Sequence, residues 1–137
     1  MQTPGIRIDG NDPVNTFQPA ELDALNPETF QAPVGEYPII KIEYCDRCRW
    51  QPRAQWLTTE LLLTFPPPTV QSVSLVPRNL ESTAGRFRVW LFDSDNNPPK
   101  LLWDRKIKGG FPEAKELKQI VRDSIAPGMS LGHSDKK

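Results

Sequence analysis

The chain has few of the side chains that bind metals or form crosslinks: its 137 residues include two cysteines and one histidine, His133. A closed structural zinc site needs four ligands, so these residues would supply it only with a second copy of the chain. The 17 basic and 17 acidic residues cancel, so no overall positive field attracts nucleic acid. No apolar run approaches the roughly twenty residues that span a bilayer. We therefore expect no metal, no nucleic-acid partner and no membrane partner.

The first residues also lack the features of a targeting signal. No basic start is followed by an apolar stretch, as in a secretory signal, and the region is too acidic for a mitochondrial presequence. In a reducing compartment, a lone pair of neighbouring cysteines is more often catalytic or metal-binding than a structural staple. We therefore expect a cytoplasmic protein.

Proline is abundant instead, with 15 residues, about twice the usual share. Five of them lie in residues 1–36, together with one basic and six acidic residues and thinly spread apolar ones. This composition predicts a Pro-rich acidic extension over 1–36 that is disordered. A folded domain is expected over 37–127, followed by a polar C-terminal tail over 128–137.

The spacing of apolar and turn-forming residues predicts six elements in the folded domain. Strands are expected at 39–44, at 70–76 with Pro77 as the stop, at 86–92 and at 100–104. A helix is expected over 51–64, from a stripe formed by Trp50, Ala54, Leu57 and Leu61, and a second helix runs from Pro112 to Pro127. The order β-α-β-β-β-α implies a parallel crossover followed by an antiparallel hairpin. It predicts a two-layer α/β (α+β) sandwich with a four-stranded mixed sheet, which is a thioredoxin-like fold.

Both cysteines lie in one Cys-x-x-Cys, Cys45 and Cys48, where the first strand gives way to the first helix. Two sulfurs at this spacing can alternate between a dithiol and a disulfide. A nearby helix N-terminus and the arginines around the pair favour the thiolate, so we predict a thiol pKa below the free value of about 8.5. Pro52 moderates this expectation, because a helix that started before Cys48 would need the N–H that proline lacks.

The predicted site therefore consists of a catalytic pair and a surrounding rim. The pair is Cys45 and Cys48, with the attacking sulfur left open. The rim is expected to contain Asp46, Arg47, Arg49 and Trp50 beside the pair, and Gly109, Gly110 and Phe111 from the loop before the last helix.

Several segments together resemble the selenoprotein W family, also called the Rdx or SelT/SelW/SelH group, and in particular its cysteine-only members. These segments are Ile42-Glu43-Tyr44-Cys45-Asp46-Arg47-Cys48-Arg49-Trp50, Gly85-Arg86-Phe87-Arg88-Val89, Gly109-Gly110-Phe111-Pro112-Glu113-Ala114 and Gly132-His133-Ser134-Asp135. The resemblance covers roughly residues 38–134. It implies a thioredoxin-like fold and an intracellular oxidoreductase. Selenium-containing relatives carry selenocysteine at the position of Cys48, where this chain has sulfur, so no selenium is implied.

The expected function is that of a thiol–disulfide redox protein, linked to glutathione or thioredoxin, in cell redox homeostasis. Glutathione or protein thiols and disulfides are the expected partners, with glutathione as a co-substrate and no bound cofactor. The alternative is a non-catalytic binding module, in which the Cys-x-x-Cys controls docking of a partner protein to a face that includes Cys45, Trp50 and Phe111. A purely structural pair of buried thiols is a third possibility.

Overall fold

The computed structural model describes residues 24–135; residues 1–23, which make up most of the predicted extension, and residues 136–137 lie outside that part. Contacts divide the chain into two units, Met1–Glu36 and Tyr37–Lys137. In the first unit, the described residues are mostly exposed. They include one 3-10 turn, Pro27–Thr29, capped by the Asn26 side chain, which accepts from the N–H of Glu28 at 3.0 Å.

The described part of the second unit contains a four-stranded mixed sheet. Its strands are β1 (Ile39–Cys45), β2 (Ser72–Arg78), β3 (Phe87–Phe92) and β4 (Lys100–Asp104), in the order β2-β1-β3-β4. β1 runs parallel to β2 and antiparallel to β3, and β3 runs antiparallel to β4. This arrangement confirms the predicted β-α-β-β-β-α order and the thioredoxin-like fold class.

Three α-helices accompany the sheet within residues 37–135: α1 (Gln51–Thr64), α2 (Arg105–Lys108) and α3 (Ala114–Ile125). α1 and α3 contact each other and the sheet, and form one layer over it. The predicted stripe on α1 is confirmed, because Ala54, Leu57 and Leu61 are fully buried. α3 adds Leu117 and Val121 to the same core. No helix in this part of the chain has the length and apolar character that would let it cross a membrane.

The other face of the sheet is not covered by these helices. Side chains alternate along a strand, so the residues between the core positions of β1 and β3 lie on this second face. A shallow cavity of about 380 Å³ is found there, lined by Lys41, Glu43, Val76, Arg78, Trp90, Phe92 and Pro99.

Four elements have bounds that differ from the sequence prediction: β1 ends and β3 begins one residue later, and β2 and the last helix differ by two residues. Pro77, expected to end the second strand, lies inside β2, which continues to Arg78. β2 is an edge strand, and an edge strand tolerates a proline because one row of its N–H groups has no strand partner. The last helix begins at Ala114, with Glu113 as its N-cap, and not at Pro112.

The short helix α2 was not predicted from the sequence. It begins directly after β4, where the side chain of Asp104 accepts from the N–H of Ile107 at 2.9 Å. It ends at Gly109, whose φ of 81° lies in the left-handed region that favours glycine. The four residues between these two caps show no apolar periodicity, so the sequence gives little indication of the helix.

The segment predicted as a polar tail is described as far as Asp135, and it packs against the domain. Met129 and Leu131 lie against the hydrophobic core. Arg122 on α3 donates to the carbonyl of Met129 at 2.9 Å and forms an ion pair with Asp135 at 2.8 Å. Residues 128–135 are therefore held against the domain by two apolar side chains and by the partly buried Arg122.

Candidate functional site

The two cysteines lie at the end of the central strand β1. Cys45 is the last residue of that strand, and Cys48 lies in the turn that follows. Both are free thiols, and the Sγ of Cys48 donates to the Sγ of Cys45 at a separation of 2.6 Å. A disulfide bond needs a separation of about 2.05 Å. A small movement within the turn would therefore bring the pair to bonding distance.

The two sulfurs differ in exposure. Cys45 is 1% exposed, whereas Cys48 is only partly buried. The N–H of Cys45 donates to the carbonyl of Arg86 at 2.8 Å and the N–H of Asp46 donates to that of Arg78 at 2.9 Å, so the turn is tied to the loop before β3 and to the end of β2. An external disulfide can therefore reach Cys48 much more readily than Cys45.

The pKa values of the two thiols move in opposite directions. Burial raises the pKa of Cys45, but hydrogen bonds from the Cys48 thiol and from the backbone N–H groups of Gly85, Cys48 and Arg47 outweigh it, so that this pKa falls below its ordinary value. The pKa of Cys48 is raised, chiefly because its thiol proton is held by Cys45 and also by burial. When the pair loses one proton, the resulting charge therefore resides mainly on the buried sulfur.

The helix α1 contributes less to this site than the sequence suggested. Its first residue is Gln51, with Trp50 as N-cap. Arg49, just before Trp50, has a left-handed φ of 61°, so the helical conformation does not extend back to the cysteines. Pro52 in the first turn removes one N–H that could have pointed towards the pair. The N–H donors that lower the pKa of Cys45 lie in the cysteine turn and in the loop before β3, outside α1.

Aromatic side chains from three segments meet beside the turn. The rings of Trp50 and Phe111 pack edge to face with centroids 4.8 Å apart, and Phe111 also packs on Phe87 at 5.2 Å. The guanidinium of Arg53 lies 4.0 Å above the Phe111 ring, and that of Arg105 lies 4.8 Å above the Trp50 ring. The structure thus joins two of the predicted rim residues, Trp50 and Phe111, in one cluster.

The remaining predicted rim residues separate into two groups. Asp46, Arg47 and Arg49 line a concave surface of about 520 Å³ together with Gln51 and Pro52.

Gly109 and Gly110 have structural contacts elsewhere. Gly109 closes α2, and the carbonyl of Gly110 accepts from the indole N–H of Trp103 at 3.0 Å. The contacts that place these two glycines are with α2 and β4, and not with the cysteine turn.

Sequence reasoning missed the residues that approach the sulfurs from the other side. Hydrogen bonding from the backbone of Gly85, whose φ is 74°, helps to lower the pKa of Cys45 and limits the rise in the pKa of Cys48. The carbonyl of Gly85 accepts from Arg105 at 3.2 Å, and that of Ala84 accepts from Lys106 at 3.1 Å. A glycine just before a strand is a signal for positive φ, but nothing local links it to a cysteine forty residues earlier.

A carboxylate network anchors β1 two residues before Cys45. Glu43 is 7% exposed and accepts from the indole N–H of Trp90 at 2.8 Å, from Arg78 at 2.8 Å and from Arg86 at 3.3 Å. Burial raises the pKa of Glu43, but these three donors outweigh it and hold the pKa below its ordinary value of 4.5. Glu43 is therefore an ionised residue that ties β1 to both neighbouring strands near the cysteine pair.

No group of three or more histidine, cysteine, aspartate or glutamate side chains within residues 24–135 is arranged to hold a metal ion. A mixed sheet with its helices on one face, and a Cys-x-x-Cys at the end of the first strand, defines a thioredoxin-like protein with a vicinal cysteine pair of the redox type. The Rdx family model matches residues 39–123, and the chain belongs to the Rdx family.

Solved structures agree with this assignment. A selenoprotein W-related protein from Vibrio cholerae is 43% identical, with a TM-score of 0.54, over 64% of this chain and 96% of that one. A protein from Bordetella parapertussis is 44% identical, with a TM-score of 0.52 and the same coverage. A search of curated proteins found no match. The resemblance to the selenoprotein W family is thereby confirmed, and the family with its cysteine pair indicates a redox function.

Proposed function

We propose that this protein is a thiol–disulfide oxidoreductase in which Cys48 attacks the substrate and Cys45 resolves the intermediate. One observation carries the proposal: the two thiols lie 2.6 Å apart, with one sulfur buried and the other accessible. The attacking sulfur must meet a substrate sulfur in line, which requires access. The resolving sulfur needs only to reach its neighbour, and burial does not prevent that.

The reaction proceeds in two exchanges. The thiolate of Cys48 attacks one sulfur of a substrate disulfide, the substrate S–S bond breaks, and the departing thiolate takes a proton from solvent. The thiolate of Cys45 then attacks the Cys48 sulfur of the mixed disulfide and expels the second substrate thiolate, which is also protonated. The substrate disulfide gains two electrons, and the protein pair is oxidised to a disulfide.

The hydrogen bond between the thiols assists both exchanges. Before attack, the proton can pass from Cys48 to Cys45 along the existing S–H···S contact, which leaves the accessible sulfur as the thiolate. After attack, Cys45 releases the proton it took to solvent; the backbone N–H groups of Gly85, Cys48 and Arg47 favour its thiolate, which is the form that attacks the mixed disulfide. The lowered pKa of the buried sulfur therefore suits the resolving role.

Glutathione and protein disulfides are the substrates that we assign to this site. The concave surface beside the turn is lined in part by Arg47 and Arg49, and arginine guanidinium groups match the carboxylates of glutathione. The protein would need no bound cofactor, because the electrons come from the cysteine pair. A second thiol or a thioredoxin system would reduce the protein disulfide again. We assign this cycle to the cytoplasm, because its thiol systems keep cysteines reduced.

Single cysteine variants test the assignment of roles. Incubated with glutathione disulfide, Cys45→Ser is expected to accumulate one glutathione on Cys48, since no resolving thiol remains. Cys48→Ser should form little adduct, because Cys45 is 1% exposed. Intact mass measurements on these proteins, with the double variant as control, identify the modified cysteine. Adduct on Cys45 alone would reverse the roles.

Turnover separates the oxidoreductase from the redox-sensitive binding module. The wild-type protein should catalyse reduction of a glutathionylated protein by glutathione, whereas both single variants should lose most of that activity. A wild-type rate no higher than that of the double variant would exclude catalysis and favour docking controlled by the Cys-x-x-Cys.

A further inference from the structure

The short helix α2 contacts the loop that faces the cysteine pair. Its first residue, Arg105, donates through Nε to the carbonyl of Gly85 at 3.2 Å. Its second residue, Lys106, donates through Nζ to the carbonyl of Ala84 at 3.1 Å. Two adjacent peptide carbonyls of one loop are therefore held by two adjacent cations of one helix.

α2 is itself held at both ends. Asp104 is 6% exposed, and its carboxylate accepts from the N–H of Ile107 at 2.9 Å and from Arg88 at 2.8 Å. The N–H of Gly109 closes the helix on the carbonyl of Arg105 at 2.8 Å. The guanidinium of Arg105 also lies over the rings of Trp50 and Phe111, at 4.8 and 5.7 Å. The helix caps and the two rings thus fix the orientation of the Arg105 side chain towards the loop.

The backbone conformation of the loop residue that Arg105 holds favours glycine. Gly85 adopts a φ of 74°, and a Cβ added there would lie 3.3 Å from a terminal nitrogen of Arg105 and 3.4 Å from the Cε of Lys106. Both the left-handed backbone and the close approach of the two cations disfavour a side chain. The next residue of the loop, Arg86, accepts from the N–H of Cys45 at 2.8 Å, and hydrogen bonding from the Gly85 backbone acts to lower the pKa of both thiols.

We propose that Arg105 is a positioning residue for the cysteine pair: by holding the Gly85 carbonyl, it fixes the loop that contacts Cys45, where the carbonyl of Arg86 accepts from the Cys45 N–H at 2.8 Å. Arg105 acts through Gly85 and needs no contact with substrate. This inference deepens the proposed oxidoreductase function and rests on it for its biological meaning. Its geometry does not depend on which disulfide is reduced.

Other charged side chains near the pair also affect the electrostatic potential at the two sulfurs. They are Asp46 and Arg47 within the turn, Arg49 at its end, Glu43 on β1 with its partners Arg78 and Arg86, and Lys106 on α2. Arg105 has two effects: it donates a hydrogen bond to the carbonyl of Gly85, and its positive charge acts to lower the pKa of Cys48. A test must therefore separate the hydrogen bond from the charge.

Arg105→Ala and Arg105→Lys together make that separation in the reduced full-length protein. NMR of isotope-labelled cysteine Cβ atoms follows each thiol through its own titration, and amide hydrogen exchange follows the Gly85 N–H. In Arg105→Ala we expect the Cys45 titration to move up by about 0.5 to 1 pH unit, which is roughly a three- to tenfold loss of thiolate, because one donor to the sulfur is weakened. We also expect faster Gly85 exchange.

Arg105→Lys keeps the charge and lacks the Nε–H and the planar group. Its Gly85 amide should therefore exchange faster than in the wild type, as in Arg105→Ala. The pKa of Cys48 should change less than it does in Arg105→Ala. The matched control is Lys108→Ala, which removes a cation of the same helix that lies over Trp103 at 5.3 Å. It should leave Cys45 and Gly85 unchanged.

Two results would overturn the proposal: unchanged Gly85 exchange in Arg105→Ala, or wild-type behaviour of both readouts in Arg105→Lys, which would assign the whole effect to charge. If Arg105→Ala does not fold, Arg105→Lys and the control still decide between these outcomes. None of these measurements uses turnover. A protein that failed to reduce disulfides would contradict the proposed function and leave the positioning role standing.

Discussion

Replacing Glu43 with glutamine should lower the free energy of unfolding by about 1.5 to 3 kcal/mol at pH 7. The two carboxylate oxygens accept from three donors, Trp90 on one oxygen and Arg78 and Arg86 on the other. Glutamine keeps one acceptor oxygen and replaces the other with an NH₂ group, which then faces a donor. A hydrogen bond to a charged group contributes about 1.5 to 3 kcal/mol. Arg78 is 43% exposed on its side chain and can turn to water, which keeps the loss near one such bond.

The stability difference should also depend on pH. Glu43 has a folded-state pKa below its ordinary value of 4.5, so its ionised form stabilises the folded state at pH values above 4.5. That stabilisation is lost as the pH falls from 4.5 through the lowered folded-state pKa. Because a protonated glutamate resembles glutamine, the two proteins should converge at acid pH. Urea unfolding of both, followed by circular dichroism at pH 7 and at several pH values below 4.5, measures the difference.

A second glutamate provides the matched control. Glu60 on α1 forms a single ion pair with Lys118 at 2.8 Å, and its side chain is 29% exposed. Glu60→Gln should cost no more than about 1 kcal/mol, as partly exposed single pairs usually do. The reasoning is refuted if Glu43→Gln costs no more than Glu60→Gln, or if its difference from the wild type is the same at pH 7 and at acid pH.

Two further substitutions test the helix that holds the loop and the core beneath it. Asp104→Ala removes the N-cap of α2 and the partner of Arg88, so unfolding should become easier by about 1 to 3 kcal/mol, with faster exchange of the Gly85 amide; unchanged exchange in a destabilised protein would show that α2 does not depend on this cap. Leu117→Ala empties a fully buried position and should cost about 2 to 5 kcal/mol in urea unfolding. Leu63→Ala, at a side chain that is 76% exposed, should stay within about 0.5 kcal/mol of the wild type, and equal effects at the two leucines would contradict the described core.

Much of the fold follows from patterns within short stretches of sequence. The helix predicted over 51–64 and the strand over 100–104 have those bounds in the structure, because apolar spacing and the prolines and glycines around them act locally. The position of the cysteine pair between β1 and α1 follows from the same patterns. Pro77 misled the prediction, since a proline ends a central strand but not an edge strand, and the strand order is not a local property.

The cysteine site was less predictable than the fold. The sequence suggested the helix N-terminus and the neighbouring arginines as the groups that favour the thiolate. In the structure, the donors to Cys45 include the N–H of Gly85, and the cation that holds Gly85 comes from α2. The basic residues after β4 gave no hint of this, because their contacts depend on a four-residue helix without apolar periodicity. The order of exposure of the two sulfurs was equally hidden, since it depends on what packs around the turn.

By itself, the sequence determined the order of the elements, the thioredoxin-like class and the presence of a vicinal cysteine pair at a strand end. These depend on side-chain periodicity and turn chemistry over a few residues. Only the tertiary structure decided that Cys45 is buried and Cys48 accessible, that the loop containing Gly85 and Arg86 contacts Cys45, and that Arg105 holds Gly85. Each of these features depends on residues that are 20 or more positions apart in the sequence. Residues so far apart come into contact only once the strands are paired.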